Sequence, residues 1–140
     1  MTAPFCWVHR VRLEEIDAAG LVYFARYFSW CHDAMADMLA PLAGGYAGLL
    51  VGRRLGLPAV HVEADYRAPL RFGDEVRIMV HVERIGASSV TLRFEIDRAP
   101  QEVRVAMVRH VVVLTDLDAM RAHPFPADLR ALLEGRSSMP

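Results

Sequence analysis

Lysine is missing altogether: all 16 basic residues of the 140-residue chain are Arg. No side chain can therefore form a Schiff base or act as an amine general base, and every cationic contact must come from a guanidinium group. An excess of charge of either sign is missing too. The 17 acidic and 16 basic residues leave a formal net charge of −1 and are spread along the sequence, so there is no basic footprint for nucleic acid and no polybasic membrane segment. The longest purely aliphatic run, Val111-Val112-Val113-Leu114, is far too short to cross a bilayer and reads as a buried strand. Met1-Thr2-Ala3-Pro4 leads into Phe5-Cys6-Trp7-Val8 without the basic start and apolar stretch of a secretory signal, so the expected location is the cytoplasm. Cysteine is limited to Cys6 and Cys31, which have neither metal-knuckle nor redox spacing and read as buried free thiols. The glycines at 44, 45, 48 and 52 lack the Lys-Ser/Thr ending of a phosphate loop, and His123-Pro124-Phe125-Pro126 has no partner at ligand spacing. No metal and no cofactor is expected.

What is present is apolar: 54% of residues are hydrophobic and mean hydropathy is positive, enough to bury one sizeable core. A single domain over 1–136 with a frayed tail at 137–140 is expected. Alternation from Cys6 to Leu13 suits a first strand ending before Glu14 and Glu15, which read as solvated charges. From Leu21 to about Leu42 the apolar residues recur at helical spacing, with Phe24, Tyr27, Phe28, Cys31, Met35, Met38 and Leu42 in one arc; Pro41 and Gly44-Gly45 end it. Strands follow near 58–69, 75–85, 88–98 and 102–116, then a short closing helix after Pro126. One long helix is the only element large enough to cover the apolar face of such an antiparallel sheet, which makes the fold class α+β.

Asp17-Ala18-Ala19-Gly20 runs straight into that helix. Backbone N–H groups in a helix's first turn have no intrahelical partner and carry partial positive charge, so an oxyanion can sit there. Gly20 removes a Cβ that would crowd a ligand against the main chain, and Asp17 supplies a carboxylate beside it. On these residues alone, Asp17 reads either as a reactive carboxylate or as a simple helix cap.

The segment Asp17-x-x-Gly20-x-Val22-Tyr23, with Tyr27 in the helix after it, resembles the hot-dog-fold acyl-CoA thioesterases of the 4-hydroxybenzoyl-CoA thioesterase type. The likeness continues through Leu57-Pro58-Ala59-Val60-His61, Asp65-Tyr66-Arg67-Ala68-Pro69 and Phe72-Gly73-Asp74, and so covers most of the chain. Cys31-His32-Asp33-Ala34 and the Leu-Pro-x-Val-His stretch are most similar to the branch that hydrolyses 1,4-dihydroxy-2-naphthoyl-CoA in quinone biosynthesis. The resemblance implies an antiparallel sheet wrapped around one long helix, a homodimer or homotetramer with sites between subunits, and an acyl-CoA substrate. It also implies that Asp17 acts as nucleophile or general base and that a backbone N–H near Phe24 polarises the thioester carbonyl.

Tyr23, Tyr27, His32, Pro58 and His61 are the implied acyl-group contacts. His32 stands where benzoyl-type relatives carry a carboxylate that recognises the ring hydroxyl; it falls on the shoulder of the apolar arc and reads equally as a packed core residue. His61 shares its strand face with Glu63 and Asp65, opposite Val60, Val62, Ala64 and Tyr66, and reads on pattern as an outward polar residue. Coenzyme A brings phosphates, for which Arg53, Arg54, Arg67, Arg71 and Arg84 are the candidates, each of which also reads as a solvated surface charge. Only Arg84 remains of the basic cluster that benzoyl-type relatives carry at the turn Arg84–Ser88. Glu63 is a rival carboxylate, but the His-Gly-Gly signature of the branch that would use it is absent. A hydratase would need a His spaced after an acid, and no such His follows Asp17. The expected function is hydrolysis of an aromatic acyl-CoA. Short-chain aliphatic acyl-CoA or acyl-carrier-protein thioesters, or a non-catalytic acyl-binding domain, are the alternatives.

Overall fold

Alternation at period two along most of the three longest strands decides which face of the sheet is covered. In the computed structural model, which describes residues 3–137, these are β4 (Glu75–Ile85), β5 (Ser89–Ala99) and β6 (Val103–Val113). They follow β1 (Phe5–Arg10), β2 (Leu55–Gly56) and β3 (Ala59–Tyr66), and all long pairings are antiparallel in the order β1-β4-β5-β6-β3. Val76, Ile78, Val80 and Val82 of β4 and Val90, Leu92, Phe94 and Ile96 of β5 all point inward and are buried. The opposite face carries charges that pair across strands: Glu83 accepts from Arg93 and Arg109 at 3.1 Å, and His81 meets Glu95 at 2.7 Å. A small second sheet joins β2 to β7 (Thr115–Asp116) and β8 (Arg121–Ala122).

The inward face is filled by α1 (Arg26–Met38), whose Tyr27, Trp30, Cys31, Ala34, Met35 and Met38 are buried. This is the hot-dog arrangement that the resemblance implies. α1 is shorter at both ends than the pattern suggests. Residues before it spend their backbone donors elsewhere: Val22 N–H reaches Leu70 O at 2.9 Å and Tyr23 N–H reaches Glu15 O at 3.0 Å, which holds 16–22 as a bridged loop. The helix ends three residues before Pro41, and the chain then turns through Gly44 at φ +74 into α2 (Gly45–Ala47) and a π-turn over Gly48–Gly52. α3 (Ala127–Gly135) closes the chain with Leu129 and Leu133 in the core. No helix among the described residues is long and apolar enough to cross a membrane.

Three expectations are corrected. Cys6 is exposed, because β1 turns Phe5, Trp7 and His9 toward the core and Cys6, Val8 and Arg10 away; Cys31 is buried, and burial pushes its thiol far above the ordinary range. Ser137 is not frayed: it bridges to Val82, while the rest of the expected tail, 138–140, lies outside the described residues. Glu15 is not a solvated charge but is 6% exposed.

The Glu15 carboxylate accepts from Trp30 Nε1 at 2.6 Å, from Arg12 N–H at 2.7 Å and from His9 Nε2 at 2.9 Å. A carboxylate has no proton to give, so His9 carries one on Nε2. Burial alone would raise the pKa of Glu15, but the donors from Arg12, His9 and Trp30 together hold it below the ordinary value of 4.5. One side chain thus ties β1, the 12–15 turn and the first half of α1 together. Glu15→Ala leaves the Trp30 and His9 donors buried without their acceptor and is expected to lower stability by roughly 3 kcal/mol, read from urea midpoints at neutral pH. A loss under about 1 kcal/mol is what an exposed carboxylate gives.

Candidate active site

The candidate residues fall into two groups at opposite ends of β3. At the first, Asp17 N–H bonds to Leu21 O at 2.9 Å and Gly20 N–H to Asp17 O at 3.0 Å, with Gly20 at φ +80 where an L side chain is disfavoured. The Asp17 carboxylate is exposed; Oδ1 accepts from Ala19 N–H at 2.9 Å, and Oδ2 accepts no hydrogen bond among the described residues. Asp17 does not cap α1, whose N-cap is Ala25 without any side-chain capping bond. Among the described residues the N–H groups of Phe24 and Ala25, just ahead of α1, also have no hydrogen-bond partner. A carboxylate oxygen and two free backbone donors therefore share one short segment.

A cleft of about 330 Å³ opens beside that segment, lined by Val22, Phe24, Tyr27, Tyr66, Pro69 and Leu70 among others. Tyr27 is 3% exposed and meets the Tyr66 ring edge-on at 4.9 Å; burial, with Tyr66 nearby, pushes its phenol up to about 12. Tyr23 is exposed and packs on Phe24 at 4.9 Å. The Tyr66 hydroxyl donates to Phe24 O at 2.9 Å, which fixes the peptide leading into α1. Sequence reasoning gave Tyr66 no role; its place in the Asp-Tyr-Arg-Ala-Pro stretch was the available signal.

At the other end, His32 and Pro58 line a cavity of about 380 Å³ together with Met35, Tyr46, Leu57 and His110. His32 is exposed on α1 and meets the Tyr46 ring at 6.1 Å. The Tyr46 oxygen accepts from Leu57 N–H at 3.1 Å. His110 is the residue that the sequence reading missed. It holds the inward register of Val108 and Val112 on β6, is 7% exposed, and its Nε2 is buried without a hydrogen-bond partner among the described residues. A polar residue in an inward alternating position is the signal that could have found it. Burial drives the imidazole from 6.5 to about 4, and nearby His32 pushes the same way.

The remaining candidates scatter. His61 and Glu63 lie exposed on β3, facing Val111 and Arg109 in register and away from the His110 cavity. Arg53 pairs with Asp128 at 2.7 Å and Arg54 with Asp118 at 3.1 Å, while Arg67 and Arg84 are exposed without ion pairs among the described residues. Arg67 lines the Tyr27 cleft, whereas Arg71 joins Arg10 and Arg98, with Asp74 and Glu75, around a separate surface cavity of about 550 Å³. No cluster of three or more His, Cys, Asp or Glu side chains able to hold a metal occurs among the described residues.

Residues 11–133 match the Thioesterase-like superfamily. The chain is 34% identical to the 1,4-dihydroxy-2-naphthoyl-CoA hydrolase of Synechococcus sp. (strain CC9605), over 97% of this chain and 94% of that protein. The crystal structure of a 1,4-dihydroxy-2-naphthoyl-CoA thioesterase from Synechocystis superposes with a TM-score of 0.83 at 24% identity, covering 93% of this chain and 95% of that one. A gentisyl-coenzyme A thioesterase superposes at 0.81 and 25% identity, covering 91% and 98%.

The depressed His110 imidazole sets an acid limit on folding. As pH falls the unfolded chain takes up this proton first, near 6.5, whereas the folded chain resists it until about 4, so the contribution is intact above 6.5 and lost downward through 4. Urea midpoints at pH 7.5 and 4.5 are expected to differ, through this group, by roughly 2–3 kcal/mol. That part of the difference should vanish in His110→Phe.

Proposed function

The chain belongs to the Thioesterase-like superfamily and is a thioester hydrolase, and from that premise we propose that it hydrolyses an aromatic acyl-CoA of the 1,4-dihydroxy-2-naphthoyl or hydroxybenzoyl type to the free acid and CoA. The observation that carries the chemistry is the exposed Asp17 carboxylate, in one short segment with the N–H groups of Phe24 and Ala25, where Oδ2 and both N–H groups have no hydrogen-bond partner among the described residues. A thioester carbonyl is electrophilic and its thiolate leaves readily, so hydrolysis needs a delivered oxygen nucleophile and donors for the developing oxyanion. Asp17 serves in one of two ways. As nucleophile its oxygen bonds to the carbonyl carbon, CoA thiolate departs, and water cleaves the resulting anhydride; as general base it takes the proton of the attacking water. The Phe24 N–H, held at the front of α1, receives the oxyanion in both.

The aromatic preference is supported by the 1,4-dihydroxy-2-naphthoyl-CoA hydrolase and gentisyl-coenzyme A thioesterase relatives and by an apolar cavity at His32. That cavity touches Ala59 at the start of β3, whereas the Phe24 cleft touches Tyr66 at its end; the two are separated by about 23 Å at 3.3 Å per residue. One protomer therefore does not bring them together. β3 is an edge strand whose Val60 and Val62 are 63% and 42% exposed, an edge that invites pairing. Antiparallel pairing of β3 with β3 of a second copy sets the start of one strand beside the end of the other, and so the His32 cavity of one protomer beside the partner's Asp17 segment. Arg67, which lines the Phe24 cleft itself and is exposed without an ion pair among the described residues, is the Arg best placed to meet a CoA phosphate there.

Two outcomes test this. Asp17→Asn is expected to lower kcat on 1,4-dihydroxy-2-naphthoyl-CoA by about 10²- to 10⁴-fold with KM little changed, measured by thiol release; normal turnover removes Asp17 from the mechanism. Val62→Arg on the edge strand is expected to yield monomers in sedimentation and to lose turnover with them, while a monomeric variant of full activity refutes the shared site.

A further inference from the structure

A histidine on a central strand, walled by apolar side chains, ordinarily has both its nitrogens accounted for, since an unmet buried polar atom is costly. His110 Nε2 is buried and, among the described residues, unmet. Its ring is gripped between Phe28, nearly parallel at 6.1 Å and 24°, and Phe94 at 5.0 Å. Its backbone lies in β6, paired on both sides by β5 and β3, which fixes the point from which the ring projects inward. The cavity that it lines is otherwise apolar along Met35, Leu50, Leu57, Val112 and Leu117. Two other polar groups reach it: His32 across from α1, and Tyr46, whose oxygen already accepts from Leu57 N–H and whose own proton remains to be given. A ligand that fits is a flat apolar body with a hydroxyl at the His110 end. A hydroxyl can donate to or accept from the imidazole, so it suits either neutral tautomer.

We propose that His110 is a specificity-determining residue of the acyl pocket, its Nε2 hydrogen-bonding a ring hydroxyl of the acyl group. This rests on the aromatic acyl-CoA reading above and adds to it which group selects the hydroxylated ring. A site built to hydrogen-bond a substrate hydroxyl rejects the analogue that lacks it, because the buried partner is then left unmet. Burial keeps the imidazole neutral across the ordinary working range, so it meets the hydroxyl as a neutral partner and not as a charge.

The test has two arms. In the first, kcat/KM is measured for 4-hydroxybenzoyl-CoA against benzoyl-CoA and for 1,4-dihydroxy-2-naphthoyl-CoA against 1-hydroxy-2-naphthoyl-CoA, in wild type, His110→Phe and His110→Gln. Wild type is expected to favour the ring with the additional distal hydroxyl in at least one pair by about 10- to 100-fold. His110→Phe should collapse that ratio toward one, and His110→Gln, which retains a hydrogen-bonding group, should restore part of it. A purely structural role scales both members of a pair and keeps their ratio, and that result overturns the proposal. In the second arm the wild-type protein with ¹⁵N-labelled histidine is titrated with phenol and with toluene. Phenol, and not toluene, is expected to shift the His110 Nε2 resonance; no difference between the two overturns the proposal. If phenol shifts Nε2 while no aromatic CoA thioester is turned over, the hydroxyl site stands and the aromatic acyl-CoA reading falls. Aromatic turnover with a ratio indifferent to His110→Phe gives the reverse.

Discussion

The arrangement depends on a buried carboxylate. Glu15 gathers a main-chain donor from its own turn, an indole from α1 and an imidazole from β1, while its backbone oxygen takes the N–H of Tyr23. Each donor belongs to a different piece of chain, so the residue sets where α1 begins relative to the sheet. The segment from Asp17 to Phe24 is strung between that point and the helix, and is pinned midway by Val22 on Leu70. Without the hub, the Asp17 carboxylate and the free N–H groups near Phe24 would have no common frame. Its desolvation is offset by three charge-assisted bonds, the condition under which a buried carboxylate stays ionised.

Much of the fold was legible from periodicity. Period two over 75–113 and period 3.6 from Tyr27 onward read directly as a sheet with one apolar face and a helix to cover it, and these are the elements observed. What periodicity could not show is where polar residues break the inside-outside rule. Glu15 read as solvated because carboxylates mostly are; only its partners, Trp30 and His9, distant in sequence, make burial tolerable. His110 hid inside a valine-rich run for the same reason. The start of α1 was misread because Leu21 and Phe24 fit the helical arc, yet Val22 and Tyr23 send their donors to Leu70 and Glu15, contacts that a one-dimensional pattern does not contain. Asp17 was legible as a candidate because it needs little context: a short loop, a glycine and a helix start.

Edge strand β3 organises the candidate site through its position more than through its side chains. Its exposed residues His61, Glu63 and Asp65 line neither cavity, but its first residue, Ala59, touches the His32 cavity and its last, Tyr66, the Phe24 cleft. Within one protomer the apolar His32 cavity and the Asp17 segment therefore stand apart, at opposite ends of one strand.

Tyr66, the last residue of that edge, holds the carbonyl oxygen of Phe24. In a trans peptide the carbonyl and the following N–H point in opposite directions, so gripping one aims the other, here the N–H of Ala25. A shift of the edge strand therefore reaches the start of α1 as a rotation of this peptide dipole, next to the Phe24 N–H and not through it. Such a joint couples the seating of the edge strand to the aim of a backbone donor at the front of α1, so a disturbance at the end of β3 is felt there as a change of direction and not of distance.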